Sequence, residues 1–132
     1  MAGSGTNKFI FNEKLNSSFL EELFDGDTHY AETVFEEFLH DLPACWRAVE
    51  QAYIEKNIPA LSTAVHKCKT LFGYVGVTPL QELCQDIENK CHQLSTIAAL
   101  KPDYELLSAG KEATIELIKG EINRLKSFNH RN

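Results

Sequence analysis

The sequence predicts an all-α fold, an antiparallel up-and-down four-helix bundle with an additional short N-terminal helix. Apolar residues recur three and four positions apart over long stretches, which is the period of one face of a helix. Only short breaks separate these stretches, so neighbouring helices are expected to pack antiparallel. No stretch shows the strict alternation of a half-buried strand.

Length and composition indicate one globular domain. The chain has 132 residues, 43% of them apolar, and no apolar run approaches the roughly 18 residues of a membrane span. Residues 1–8 are predicted to be a disordered or vector-derived tail, and 9–132 the bundle domain. The net charge of −6 argues against a nucleic-acid partner. The absence of a leader pattern favours a cytoplasmic location.

The first half of the chain contains a short helix and a long one. Phe9 to Phe11 form an apolar segment that is expected to cover one end of the bundle. Asn16 or Ser17 can cap the short helix, and an aspartate or threonine at 27–28 can cap the long helix. Pro43 lies inside the long stripe, and because the stripe resumes in phase, one kinked helix is favoured over two. The stripe of the long helix comprises Tyr30, Val34, Phe35, Phe38, Leu42, Cys45, Trp46, Val49 and Tyr53.

The second half predicts three more helices. Pro59 suits the first turn of the third helix, and Gly76 is expected to end it. Thr78 is the predicted N-cap of the fourth helix, with Gln81 at a capping-box spacing. Lys101–Pro102 is predicted to be the break before the last helix.

The third helix has two different faces. At about 100° per residue, one face is apolar and the opposite face is polar. The apolar face carries Leu61, Val65, Cys68, Phe72 and Val75, and the polar face carries Ser62, His66, Lys69, Thr70 and Gly73. His66 is therefore expected to face solvent on a rigid helix, with a lysine one turn later.

This arrangement resembles the histidine-containing phosphotransfer (Hpt) domain. The family pattern has a lysine three positions after the histidine, a small residue next, and a glycine ten positions after the histidine. In this chain the pattern is carried by His66, Lys69, Thr70, Gly73 and Gly76, within a resemblance that runs from about Leu15 to about Phe128. Thr70 is a departure, because the family usually has glycine or serine there.

The resemblance implies a phosphorelay intermediate of two-component signalling. His66 would accept a phosphoryl group from the aspartyl phosphate of a receiver domain and pass it to another receiver, and Lys69 would stabilise the phosphoryl oxygens. A neutral imidazole is a good nucleophile near pH 7, and a phosphoramidate is labile enough to pass the group on. No phosphate-binding loop is present, so the chain is expected to be a carrier rather than an enzyme.

The expected partners are response-regulator receiver domains and a hybrid histidine kinase, with Mg²⁺ supplied by the receiver and no cofactor held by the chain. The chain is expected to be a monomer. Ser62, Thr70, Gly73 and Val77 are the candidate partner-binding residues. Phe38, Asp41 and Leu42 are further docking candidates, although a core position is favoured for Phe38 and Leu42.

Two other functions stay open at this point. The chain could be a helical adaptor that binds a receiver or kinase without phosphorylation, although such a protein is expected to lose the histidine. It could also be the phosphoacceptor domain of a chemotaxis-type kinase, excised from a longer protein.

The four cysteines are expected to be buried, reduced thiols. A metal site at Cys84, Cys91 and His92 is disfavoured because its ligands would come from opposite helix faces.

Overall fold

Five α-helices make up the fold. The computed structural model describes residues 8–93 and 95–131, so most of the predicted tail lies outside the described residues. The helices are α1 (Ser17–Phe24), α2 (Thr28–Ile54), α3 (Ile58–Tyr74), α4 (Thr78–His92) and α5 (Ile97–Arg131). Both α2 and α4 pack against α3 and α5, which closes a four-helix ring, and α1 lies against α2. The predicted all-α bundle with a short N-terminal helix is confirmed, and the described residues form no strand.

The core is built mainly from the predicted apolar stripes, but Tyr30 of the long-helix stripe is 53% exposed. Phe38 and Leu42 are buried, so they are core residues and not docking residues. Phe9 and Phe11 are also buried, whereas Ile10 between them is exposed. The ring of Phe11 lies between α1 and α2, with centroid distances of 6.0 Å to Phe24 and 5.9 Å to Phe35. None of the described helices combines the length and the apolar composition needed to cross a bilayer.

Side-chain caps set most helix starts. The carboxamide of Asn16 and the carboxylate of Asp27 accept the backbone N–H groups of Phe19 and Tyr30, which satisfies donors that the first turn leaves unpaired. The predicted N-cap of α4 is wrong. Thr78 is the first helical residue, and the cap position is Val77, which provides no side-chain hydrogen bond.

Both internal prolines lie within helices. α2 continues through Pro43 as one helix, as the in-phase stripe predicts. The predicted break at Lys101–Pro102 is wrong, because α5 already begins at Ile97. The Oγ1 atom of Thr96 accepts the Ala99 N–H at 3.1 Å and so caps α5 before Pro102. The helix therefore contains Pro102 in its interior, where a proline removes one backbone hydrogen bond and crowds the preceding turn.

Gly76 joins α1 to the turn between α3 and α4. Its φ of +74° lies in the left-handed region that favours glycine. Its carbonyl oxygen accepts the Asn16 N–H at 2.8 Å. A Cβ atom on Gly76 would lie 3.1 Å from Leu20 Cδ1 and 3.2 Å from the Asn16 nitrogen. Glycine therefore permits both the turn and the close approach of α1.

We expect Gly76→Ala to lower the free energy of unfolding by about 1–2 kcal/mol, because alanine must adopt a left-handed conformation there. Urea unfolding would measure the change. The matched control is Gly120→Ala, since a Cβ atom at this position of α5 has no neighbour within 4 Å. The control should gain up to about 1 kcal/mol of helix stability. Equal effects of the two substitutions would contradict this role of Gly76.

Candidate functional site

His66 lies near the middle of α3, and its side chain is 60% exposed. The buried face of the same helix, which includes Val65, Cys68 and Phe72, packs into the core. This packing fixes the rotation of α3 about its axis. The imidazole is therefore held at the surface by a rigid element, as the two-faced pattern of the helix predicts.

The carboxylate of Glu88 on α4 bridges two side chains of α3. Its Oε1 atom is 2.9 Å from His66 Nδ1, and its Oε2 atom is 2.9 Å from Lys69 Nζ. Lys69 also donates a hydrogen bond to Gln85 Oε1 at 2.8 Å. The Glu88 side chain is only 10% exposed, whereas its partner His66 is 60% exposed, so the carboxylate is the buried member of the cluster.

The charge of Glu88 follows from these contacts. Burial by itself would raise the pKa of the Glu88 carboxyl, but hydrogen bonds and charge from Lys69 and His66 outweigh burial and lower the pKa below its ordinary value. An ionised carboxylate can only accept hydrogen bonds, so His66 Nδ1 must carry the proton that it donates. In the neutral tautomer that carries its proton on Nδ1, the lone pair lies on Nε2, which has no hydrogen-bond partner within the described ranges.

The predicted partner-binding residues fall in different environments. Ser62 is half-buried one turn before His66, and Thr70 is exposed, with its hydroxyl donating to the His66 carbonyl at 3.3 Å. A Cβ atom on Gly73 would come within 2.6 Å of Gln81 Nε2, so α4 uses the space that this glycine leaves. Val77 is 7% exposed and belongs to the core. The chain turns inward after Gly76, so Val77 presents little side chain to a partner.

Two surface depressions meet at Thr70 and Tyr74, and the first of them is lined by His66. The first, called the groove, lies between α2 and α3, and the second, called the cleft, lies between α1, α3 and the start of α4. The groove is lined by His40, Asp41, Ala44, Cys45, His66, Lys67, Thr70, Leu71 and Tyr74. The cleft is lined by Asn16, Phe19, Thr70, Gly73, Tyr74, Gly76, Thr78 and Gln81. Together they form a continuous surface beside the imidazole.

The four cysteine thiols are free; Cys68, Cys84 and Cys91 are buried as expected, whereas Cys45 is only half-buried. Burial raises the pKa of Cys68 and of Cys84 to about 12, and it raises the pKa of Cys45 and Cys91 as well. A thiol with a raised pKa stays protonated near neutral pH. In the part of the chain that the structure describes, no cluster of three or more histidine, cysteine or acidic side chains could hold a metal ion.

Sequence reasoning missed Glu88, which lies 22 positions from its partner His66. A signal was nevertheless present in the fourth helix. Glu88 follows Cys84 by four residues and precedes Cys91 by three, so an acidic residue occupies the edge of an apolar stripe. Such a residue is rarely buried without a partner. The polar face of the preceding helix, α3, carries Lys69, which could supply that partner.

A comparison with family models decides the classification. The model of the Hpt domain matches residues 33–128. The chain belongs to the Hpt domain family. Its function is therefore histidine phosphotransfer in two-component signalling, and Hpt domains are carriers rather than autonomous enzymes.

A solved structure supports the same fold. The Hpt domain of an Hpt sensor hybrid histidine kinase from Shewanella matches with a TM-score of 0.62 and 18% sequence identity. The match covers 90% of this chain and 96% of that one. At this identity the likeness concerns the fold alone. No curated protein matches the chain.

Glu88 should make the stability of this Hpt domain depend on pH. Its pKa in the folded state is below the ordinary 4.5, so the unfolded chain takes up the proton first as the pH falls. The stabilisation is complete above the ordinary pKa and is lost as the pH falls through the folded pKa. We expect Glu88→Gln to be less stable than the wild type near neutral pH and to lose less of its stability in acid.

Urea unfolding from about pH 7 to about pH 3 would measure this difference. Glu82→Gln is the matched control, because Glu82 is an exposed acid on the same helix. It should show the same acid decline as the wild type. Parallel curves for the wild type and Glu88→Gln would show that the carboxylate is not coupled to its two neighbours.

Proposed function

We propose that this Hpt domain is a phosphorelay intermediate that accepts a phosphoryl group on Nε2 of His66 from a receiver aspartyl phosphate and passes it to a second receiver. The observation that supports the proposal is the contact between His66 Nδ1 and the buried Glu88 carboxylate. This contact selects the imidazole tautomer with a lone pair on Nε2 and directs that atom away from the carboxylate.

The proposed transfer balances without an external acid or base. The Nε2 lone pair attacks the phosphorus of the aspartyl phosphate, the P–N bond forms, and the P–O bond to the aspartate breaks. The aspartate leaves as a carboxylate, and the imidazole keeps the proton on Nδ1. Positive charge that develops on the ring is stabilised by Glu88 at 2.9 Å. The reverse steps deliver the phosphoryl group to the next aspartate.

Lys69 is the proposed stabiliser of the phosphoryl oxygens. It lies one turn from His66 on the same face of α3, and its ammonium already touches Gln85 and Glu88. A phosphoryl group on Nε2 would bring negative charge to this face. The lysine can meet it by exchanging the neutral Gln85 amide for an anionic oxygen, which is the stronger acceptor. Phosphoryl transfer depends mainly on such positioning and charge stabilisation.

The groove and the cleft are the proposed docking surface for receivers. Two residues, Thr70 and Tyr74, line both depressions, and Gly73 lines the cleft. Ser62 extends the same face by one turn. Exposed apolar side chains, Phe19 of α1 and Tyr74 of α3, line the cleft, which gives a partner an apolar contact next to the reacting atom.

The remaining chemistry is assigned to the partner. The receiver would bring Mg²⁺ together with its aspartyl phosphate, and this chain would contribute the nucleophile and one cation. We place the relay in the cytoplasm, with the chain acting as a monomer. Two observations support this part of the proposal: the four thiols are free, and each long helix turns its apolar stripe into the ring.

The first experiment follows labelled phosphate from a panel of phosphorylated receiver domains to the chain. We expect His66→Gln to reduce transfer to background, because the amide has no nucleophilic nitrogen. His92→Gln is the matched control, since His92 is exposed on α4 and lines neither the groove nor the cleft, and it should keep the label. Labelling of His66→Gln at the wild-type level would refute the assignment.

A second experiment tests the docking surface. We expect Phe19→Ser to raise the apparent KM for the fastest receiver about fivefold, which corresponds to roughly 1 kcal/mol of lost contact. The limiting transfer rate should not change. Ile54→Ser is the control, because Ile54 is exposed at the other end of the bundle. If both variants behave like the wild type, receivers do not contact the cleft.

A further inference from the structure

The segment that precedes α1 is attached to α5. Residues 8–16 contain no helix, yet Phe9 and Phe11 are buried. The ring of Phe9 meets the ring of Phe128 edge-on, with centroids 5.6 Å apart. This segment therefore follows the C-terminal half of α5 before the chain enters α1.

A buried carboxylate on α5 holds the backbone of this segment. The Glu121 side chain is 1% exposed, and its Oε2 atom accepts the Asn12 N–H at 2.9 Å. Its Oε1 atom pairs with Arg124, which also donates to the Ile10 carbonyl at 2.7 Å and lies 4.7 Å from the ring centroid of Phe9. We call Glu121 and Arg124, with the backbone of Ile10 and Asn12, the clasp.

Hydrogen bonds continue from the clasp to the end of the histidine helix. The carbonyl of Asn12 accepts the Leu15 N–H at 2.9 Å, and its side chain accepts the Lys14 N–H at 2.8 Å. Asn16 then caps α1 through its side chain and donates its own N–H to the Gly76 carbonyl at 2.8 Å. The start of α1 is thus fixed between α5 and the turn that follows α3.

The placement of the clasp separates it from the chemistry. None of the residues that line the groove or the cleft belongs to α5. A buried carboxylate is costly unless its partners are fixed, so the clasp strongly favours one position of the segment. What the clasp can influence is the direction in which α1 presents Phe19 and Leu23, both of which are exposed.

We infer that Glu121 and Arg124 are positioning residues for receiver docking, which act through Asn12 on the orientation of α1. The inference rests on the proposed function, because it assumes that a receiver contacts α1 beside the cleft. It adds a remote determinant of partner affinity on a helix that does not touch the reacting atoms. The clasp favours docking because it fixes the orientation of α1 before the receiver binds, which reduces the conformational entropy lost on binding.

The test compares Glu121→Gln and Arg124→Met with the wild type, using the receiver that transfers fastest to the wild-type chain. We expect the apparent KM to rise by about threefold or more, as for an interface that loses preorganisation, with the limiting rate unchanged. Labelling of His66 by phosphoramidate, a small donor that needs no docking surface, should also be unchanged. Hydrogen exchange at the amides of Asn12 and Asn16 should become faster.

Lys119→Met is the matched control. Lys119 is an exposed cation on the same helix that pairs with Glu116 at 3.5 Å and takes no part in the clasp, so its loss should change neither the KM nor the exchange. Arg124→Lys keeps the positive charge but replaces the two nitrogens that contact Glu121 and the Ile10 carbonyl by one. It should therefore give a smaller rise in KM than Arg124→Met. If Glu121→Gln does not fold, the two Arg124 variants decide the question.

Three results would overturn the inference. The first is an unchanged KM despite faster exchange at Asn12 and Asn16. The second is unchanged exchange in the Arg124 variants, which would show that the clasp does not hold the segment. The third is a parallel loss of phosphoramidate labelling and receiver transfer, which would indicate general damage. Failure of the wild-type chain to be labelled at His66 would instead refute the proposed function.

Discussion

Glu88 brings an ionised carboxylate to the contact between α3 and α4, within 2.9 Å of both an imidazole and an ammonium group. Removing such a charge from water costs several kcal/mol unless it is paired, and His66 and Lys69 of α3 are the groups that pair with it. The core residues behind His66 fix the rotation of α3 and so keep both side chains within reach of α4. The hydrogen bond at Nδ1 and the position of the lysine ammonium depend on this one carboxylate.

The sequence predicts the fold well because the fold depends on local patterns. Helical periodicity, the caps at Asn16 and Asp27 and the glycine at 76 each act within a few residues, and the structure contains all of them. The break at Pro102 was predicted wrongly for the same local reason. A proline is a strong signal of a helix end, but the Thr96 cap begins α5 before it.

The candidate site was only partly predictable. The periodicity of α3 places His66 and Lys69 on one exposed face, but the partners of these side chains come from α4 and depend on how the two helices pack. Glu88 and Glu121 share a sequence feature, since each is an acid at a position where its helix otherwise buries apolar side chains. Without the packing there was no way to know which donors would meet them. Val77 shows a different limit of prediction from sequence. It follows Gly76 in a turn, where helical periodicity no longer applies, and the turn places its side chain in the core.

His66 lines the groove on the outer side of α3, while the core fills the other side of the helix. In the relay that we propose, a single imidazole approached from a single direction would serve one receiver at a time. The donor would then leave before the acceptor binds, and the phosphorylated chain would exist alone in between. Under the proposed relay, the lifetime of the P–N bond has to exceed the time needed for this exchange of partners, and the exchange itself sets an upper limit on the flux of signal.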